Sequence, residues 1–151
     1  MNLFILDDDV NRSAKKLRQL DKIRFNKQIV ELTQMLAQNT DLRLPKQNGD
    51  YYRQNKSLSN HPASIWVNNN RKYCIIYLLA LLKVYKECTN KEHGCTPAAN
   101  VLKTTINNEI ELTPKLGWFT KKVHYTSLGR DIIEATGIYL MAKQVGFYSN
   151  Q

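Results

Sequence analysis

Acidic residues are scarce in this chain: 13 Asp and Glu stand against 22 Lys and Arg, a net charge of +9 over 151 residues. An imbalance of that size draws polyanions from about a Debye length away and says nothing about the fold. Cysteine is rarer still, and three residues cannot close a full disulfide framework. The N-terminus runs Met1-Asn2-Leu3-Phe4-Ile5-Leu6 and then Asp7, Asp8 and Asp9. It has neither the cationic stretch nor the small-residue cleavage site of a secretory signal. A cytoplasmic location with reduced thiols is therefore the expectation. The most apolar run, Cys74 to Leu82, is less than half the ~20 residues that span a bilayer, so no membrane partner is expected. A phosphate-binding glycine loop, HExxH and GxSxG are also missing.

What remains is the composition of an ordinary globule, 42% hydrophobic and 23% charged. The length suits a single domain, 1–151, that buries roughly two-thirds of its unfolded surface. Hydrophobic spacing predicts a mainly α fold: a compact helical bundle with long basic loops and, over residues 2–6, a short strand or an extended start. Asp8 or Asp9 caps a first helix to about Leu20, with Val10, Ala14 and Leu17 inward. Asp21 starts a second helix to about Gln38. Asn39 to Asn60 reads as one long loop around Pro45, a length that is usually functional or mobile. Pro62 sits in the first turn of the next helical segment, which carries Ile65 and Trp66. A polar patch, Asn68 to Lys72, precedes a central buried helix from Tyr73 to about Glu87 that is apolar almost all round. Thr96-Pro97 reads as the N-cap and first residue of a helix to about Asn107. An irregular stretch, 112–129, then leads to a last helix from Asp131 to about Val145.

Three groups of residues carry candidate chemistry. On the second helix Arg24, Lys27, Glu31 and Gln34 fall at i, i+3, i+7 and i+10 and share one face, opposite Phe25, Ile29, Leu32 and Leu36. Such a row can hold a catalytic carboxylate beside phosphate-binding cations, or it is a solvated face with a Lys-Glu pair. In the long loop, Arg43, Lys46, Arg53 and Lys56 alternate with Tyr51 and Tyr52, a mixture that suits phosphates and unstacked bases and equally a solvated loop. Arg71 and Lys72 add cations before the central helix. Cys88, His93 and Cys95 invite a metal reading, but their spacing matches no usual zinc pattern and a fourth ligand is lacking. Neither a metal nor a cofactor is expected. His124 lies between basic residues and reads as surface.

The segment Leu20 to Glu31 with Gln34-Met35-Leu36, followed by Asn60-His61-Pro62-Ala63 and Trp66, resembles two blocks of the pyrimidine-dimer DNA glycosylase family. That family includes the phage endonuclease V enzymes, and the likeness is better to their uncharacterised phage and bacterial relatives. Lys91-Glu92-His93 is similar to a weaker third block, and Tyr139 with Lys143 to a C-terminal one. The four lie in the expected order and together span about two-thirds of the chain.

The resemblance implies an all-α protein that binds duplex DNA carrying damaged or modified bases, kinks it and removes a base. Glu31 would be the catalytic carboxylate, with Arg24 and Lys27 beside it. Cleaving an N-glycosidic bond builds positive charge on the sugar, which a fixed carboxylate stabilises. His61 would bind a phosphate or protonate the leaving base, or simply fix the loop-to-helix turn. Asn60, Arg53, Lys56, Arg71 and Lys72 would hold the DNA. Asn2 departs from the family pattern: it protects Met1, so the attacking group becomes the Met1 amine, a lysine such as Lys27, or water. The alternatives are a nucleic-acid-binding protein without chemistry, or a nucleotide or small-molecule binder that uses the same row in a closed pocket.

Overall fold

The computed structural model describes residues 2–106 together with Ile133 and Leu140. Six helices are present among these residues: α1 (Val10–Leu20), α2 (Lys22–Leu36), α3 (Lys56–Ser59), α4 (Pro62–Asn69), α5 (Arg71–Thr89) and α6 (Thr96–Lys103). They pack together as the mainly α fold that the hydrophobic spacing predicts. The last helix apart from Ile133 and Leu140, the irregular stretch 112–129, His124, Tyr139 with Lys143, and Met1 lie outside the described residues. Ile133 and Leu140 are helical, and Leu140 is fully buried.

Aspartates start the first two helices. Asp9 accepts the Arg12 N–H at 2.9 Å, satisfying one of the orphan donors of α1. Asp21 stands in an extended conformation between α1 and α2, donates its N–H to Leu17 and accepts the Arg24 N–H at 3.0 Å. One residue thus ends one helix and begins the next, forcing the chain to turn. The buried residues Val10, Ala14 and Leu17 of α1 and Phe25, Ile29, Leu32 and Leu36 of α2 follow the helical period and face α5 and each other.

Helix α5 is the centre of the molecule, against α1, α2, α4 and α6. Tyr73, Cys74, Ile75, Tyr77, Leu78, Ala80, Leu81 and Val84 are buried along it. At roughly 1.5–3 kcal/mol for each large apolar side chain, this helix contributes the largest share of the hydrophobic stabilisation among the described helices. It starts at Arg71, two residues earlier than the spacing predicts, because the polar patch is helical apart from a break at Asn70. The break is a cap: the Asn70 side-chain amide donates to the Trp66 carbonyl at 2.9 Å.

Residues 2–6 form neither helix nor strand among the described residues, so the short strand, one of the two expected forms, is absent there. Leu3 and Ile5 are fully buried, so the backbone groups between them need partners. Side chains supply these. The Phe4 N–H donates to Gln28 Oε1 at 2.5 Å, and Gln28 Nε2 donates to the Asn2 carbonyl at 3.2 Å. Tyr77 donates to the Phe4 carbonyl, Ser13 donates to Tyr77, and the Leu6 N–H donates to Ser13 Oγ.

The long loop is more ordered than its composition suggests. Residues 43–54 form a hairpin with a single Pro45–Tyr51 bridge, closed at Gly49 in the left-handed region (φ 92°), where a side chain would be strained. Asn55 then caps the one-turn helix α3. Helix α6 differs from expectation at both ends. Thr96 is its first residue rather than its cap, and it stops at Lys103 instead of near Asn107, where the Thr104 and Thr105 hydroxyls bond back to the Val101 and Leu102 carbonyls.

Candidate functional site

Helix α2 turns Lys27, Glu31 and Gln34 outward, because the opposite side of the same helix is buried. These side chains, with Asn26 and Val30, form one wall of an open groove of about 590 Å³. Tyr85 and His93 form the other wall. Tyr85 comes from the last turns of α5, which packs against α2, and His93 from the turn that joins α5 to α6. The two rings meet edge to face, with centroids 4.8 Å apart. His93 Nδ1 accepts the Cys95 N–H at 2.9 Å, which leaves the proton of the neutral ring on Nε2. Partial burial lowers the His93 pKa below its ordinary value and favours that neutral form.

The groove therefore holds an amine, a carboxylate, an amide, an aromatic ring and an imidazole donor. A carboxylate can stabilise a cationic centre and accept a proton; an ammonium can hold a phosphate; a tyrosine edge-braced by histidine can stack on a planar ring. The groove is wide-mouthed rather than enclosed, unlike the closed pocket of a small-molecule binder.

The other expected site residues take different places. Arg24 is paired with the Asp21 carboxylate at 2.7 Å and does not line the groove. His61 is the N-cap of α4, its Nδ1 accepting the Ala63 N–H at 3.1 Å, and it too is absent from the groove lining. Arg71 is half-buried and donates through Nη2 to the Leu36 carbonyl at 2.7 Å, capping the carbonyl end of α2. Asn60 ends α3, and Lys56 and Lys72 are exposed on α3 and α5. Arg53 is exposed on the hairpin.

Beyond the stripe, the groove gains Asn26 and Val30 from the same helix and, from outside it, Tyr85 and His93. Tyr85 was hidden inside an apolar helix, where one more aromatic reads as core. His93 stood in the third sequence block and in the metal reading, and either could have drawn it toward Glu31. As for a metal, no cluster of His, Cys, Asp or Glu that could hold one is present among the described residues. Cys88 is exposed, and Cys95 is buried with Sγ 3.2 Å from the Tyr52 hydroxyl.

The 93–95 turn also joins the groove to the hairpin. A side chain at Gly94 would meet Gln47 Oε1 at 3.3 Å, so the hairpin lies directly against that turn. No helix among the described residues is long and apolar enough to cross a membrane. Comparison with protein-family models, with curated proteins and with solved structures finds no match for this chain. The likeness of the four sequence blocks stands on their residues alone.

Proposed function

We propose that this protein is a glycosylase-like enzyme that removes a damaged or modified base from DNA in the groove between α2 and the α5–α6 turn. The observation that supports this reading is the meeting of Lys27 and Glu31 with Tyr85 and His93, residues from two of the resembling blocks and the helix between them. A base displaced from the duplex would stack on Tyr85, with its sugar toward Glu31 and a flanking phosphate on Lys27.

As the C1′–N bond breaks, its electron pair passes to the base and positive charge develops on the sugar. Glu31 stabilises that charge and takes a proton from the attacking water, whose oxygen bonds to C1′. The His93 Nε2–H donates a hydrogen bond to the departing base nitrogen, which takes its proton from solvent. Lys27, four residues before Glu31 on the same face, is the candidate amine if the enzyme instead passes through a Schiff base.

The test is incubation with DNA carrying defined lesions or modified bases, with released base measured and borohydride added to trap a Schiff base. Glu31→Gln should reduce base release by about 100-fold while DNA affinity stays nearly unchanged. Full activity in that variant would refute the assignment. A second reading, binding without chemistry, draws on Arg24, which pairs with Asp21, and His61, which caps α4, neither of them in the groove. It predicts salt-sensitive DNA binding and no product from any substrate.

A further inference from the structure

The basic, aromatic hairpin 43–54 lies outside the groove and has a recess of its own. Arg43, Lys46 and Arg53 surround Tyr51 and Tyr52 there, with Asp50 the single acid among the described residues that line it, in a volume of about 540 Å³. None of the three cations has a carboxylate partner among the described residues. The Arg43 guanidinium sits 4.2 Å over the Tyr51 ring, and the Lys46 ammonium 5.4 Å over Tyr52. A guanidinium stacked through its face keeps its N–H edge for a phosphate. Tyr51 is 47% exposed, leaving ring surface in solvent.

This platform is braced before any ligand arrives. The Lys46 N–H donates to the Asp50 carbonyl at 2.7 Å and the Tyr52 N–H to the Leu44 carbonyl at 2.9 Å. Gln54 Nε2 reaches the carbonyls of Ala37 and Thr40, and Gln38 Nε2 that of Arg53. The Tyr52 hydroxyl meets Cys95 Sγ, two residues from His93 of the groove. A rigid platform loses little conformational entropy on binding.

We infer that the 43–54 hairpin binds a single nucleic-acid strand leading into the groove, with an unstacked base on Tyr51 and a backbone phosphate between Arg43 and Arg53. The inference deepens the proposed function by specifying the form of its substrate: the nucleotides beside the reacting one are held unpaired. A duplex cannot satisfy this hairpin, because its bases keep their faces stacked inside. A plain polyanion would use the cations and ignore the ring.

The experiment is fluorescence anisotropy of the full chain with a labelled 12-nucleotide single-stranded DNA, over a series of salt concentrations. Tyr51→Ala should weaken binding about tenfold, and Tyr51→Trp should restore it. Arg43→Ala with Arg53→Ala should flatten the salt dependence by about 1.4 in the log–log slope, the value for two strand phosphates. Unchanged affinity in Tyr51→Ala would overturn the inference, as would equal competition by inorganic polyphosphate. If Tyr51→Ala lowers the melting temperature, Tyr51→Trp and the double arginine variant decide the matter, since both change exposed side chains. Base release is scored separately. Strand binding that survives without any released base sinks the enzyme and leaves the hairpin site; base release without strand binding does the reverse.

Discussion

Tyr77 has no other hydroxyl-bearing residue in its turn of α5, yet its single oxygen joins three parts of the chain. It donates to the Phe4 carbonyl and accepts from Ser13 on α1, while Ser13 in turn accepts from Leu6. A buried carbonyl or hydroxyl left without a partner costs about 1–3 kcal/mol. Tyr77→Phe keeps the ring and its packing but removes the donor to the Phe4 carbonyl and the acceptor of the Ser13 proton. It should therefore lower stability by about 1–3 kcal/mol in urea unfolding and speed hydrogen exchange at Leu6. A midpoint equal to that of the parent would show that the Tyr77 hydroxyl adds nothing to the hold of Gln28, Leu3 and Ile5 on the N-terminal segment. The same logic explains why residues 2–6 need no strand partner. Gln28, Ser13 and Tyr77 occupy the positions where a neighbouring strand would offer its backbone, and no periodicity in the sequence announces that substitution.

At the scale of elements, Asp21 does the work of two caps. Its backbone closes α1, its Oδ1 opens α2, and its Oδ2 holds Arg24. Asp21→Ala should cost about 1–2 kcal/mol in thermal unfolding, whereas Asp21→Asn, which keeps a cap and loses only the ion pair, should cost under about 1 kcal/mol. Equal losses would assign the effect to the ion pair with Arg24 instead. Caps of this kind were legible: Asp9, Asp21 and Pro62 each mark a helix start in the sequence as they do in the structure. What misled was polarity. Asn68 to Lys72 reads as a polar patch ahead of a helix that starts at Tyr73, yet only Asn70 leaves the helical conformation, because the neighbouring side chains reach solvent from helical positions. The candidate site was half legible for a similar reason. The Lys27, Glu31 and Gln34 row follows from helical spacing alone. Which residues face it depends on where the end of α5 passes α2, and that placed Tyr85 and His93 there instead of His61.

At the scale of the whole molecule, the groups with displaced pKa values set a pH window for stability. Hydrogen bonds from Lys16 and from the Asp9 N–H, with Arg12 beside them, hold Asp7 at about 2, below its ordinary 3.8. Burial pushes His93 below its ordinary 6.5. In both cases the unfolded chain binds more protons, so stability rises with pH and is lost on acidification. The His93 contribution fades as pH falls below 6.5, and that of Asp7 as pH falls from 3.8 toward 2. On the alkaline side the sign reverses. Burial raises the Cys74 thiol above its ordinary 9.0 and the Tyr77 and Tyr73 hydroxyls above 10.0, so the unfolded chain gives up protons that the folded chain keeps. Stability contributed by these groups is intact below pH 9 and drains away above it, Cys74 first. The urea midpoint should therefore decline below about pH 6.5 and again above about pH 9. Cys74→Ala separates the causes. It leaves a small cavity and lowers the midpoint at every pH. It should also delay the alkaline decline from about pH 9 to about pH 10, where the tyrosines take over. An alkaline limb that begins at the same pH in the variant would mean that the Cys74 thiol is not the group that opens the core to hydroxide.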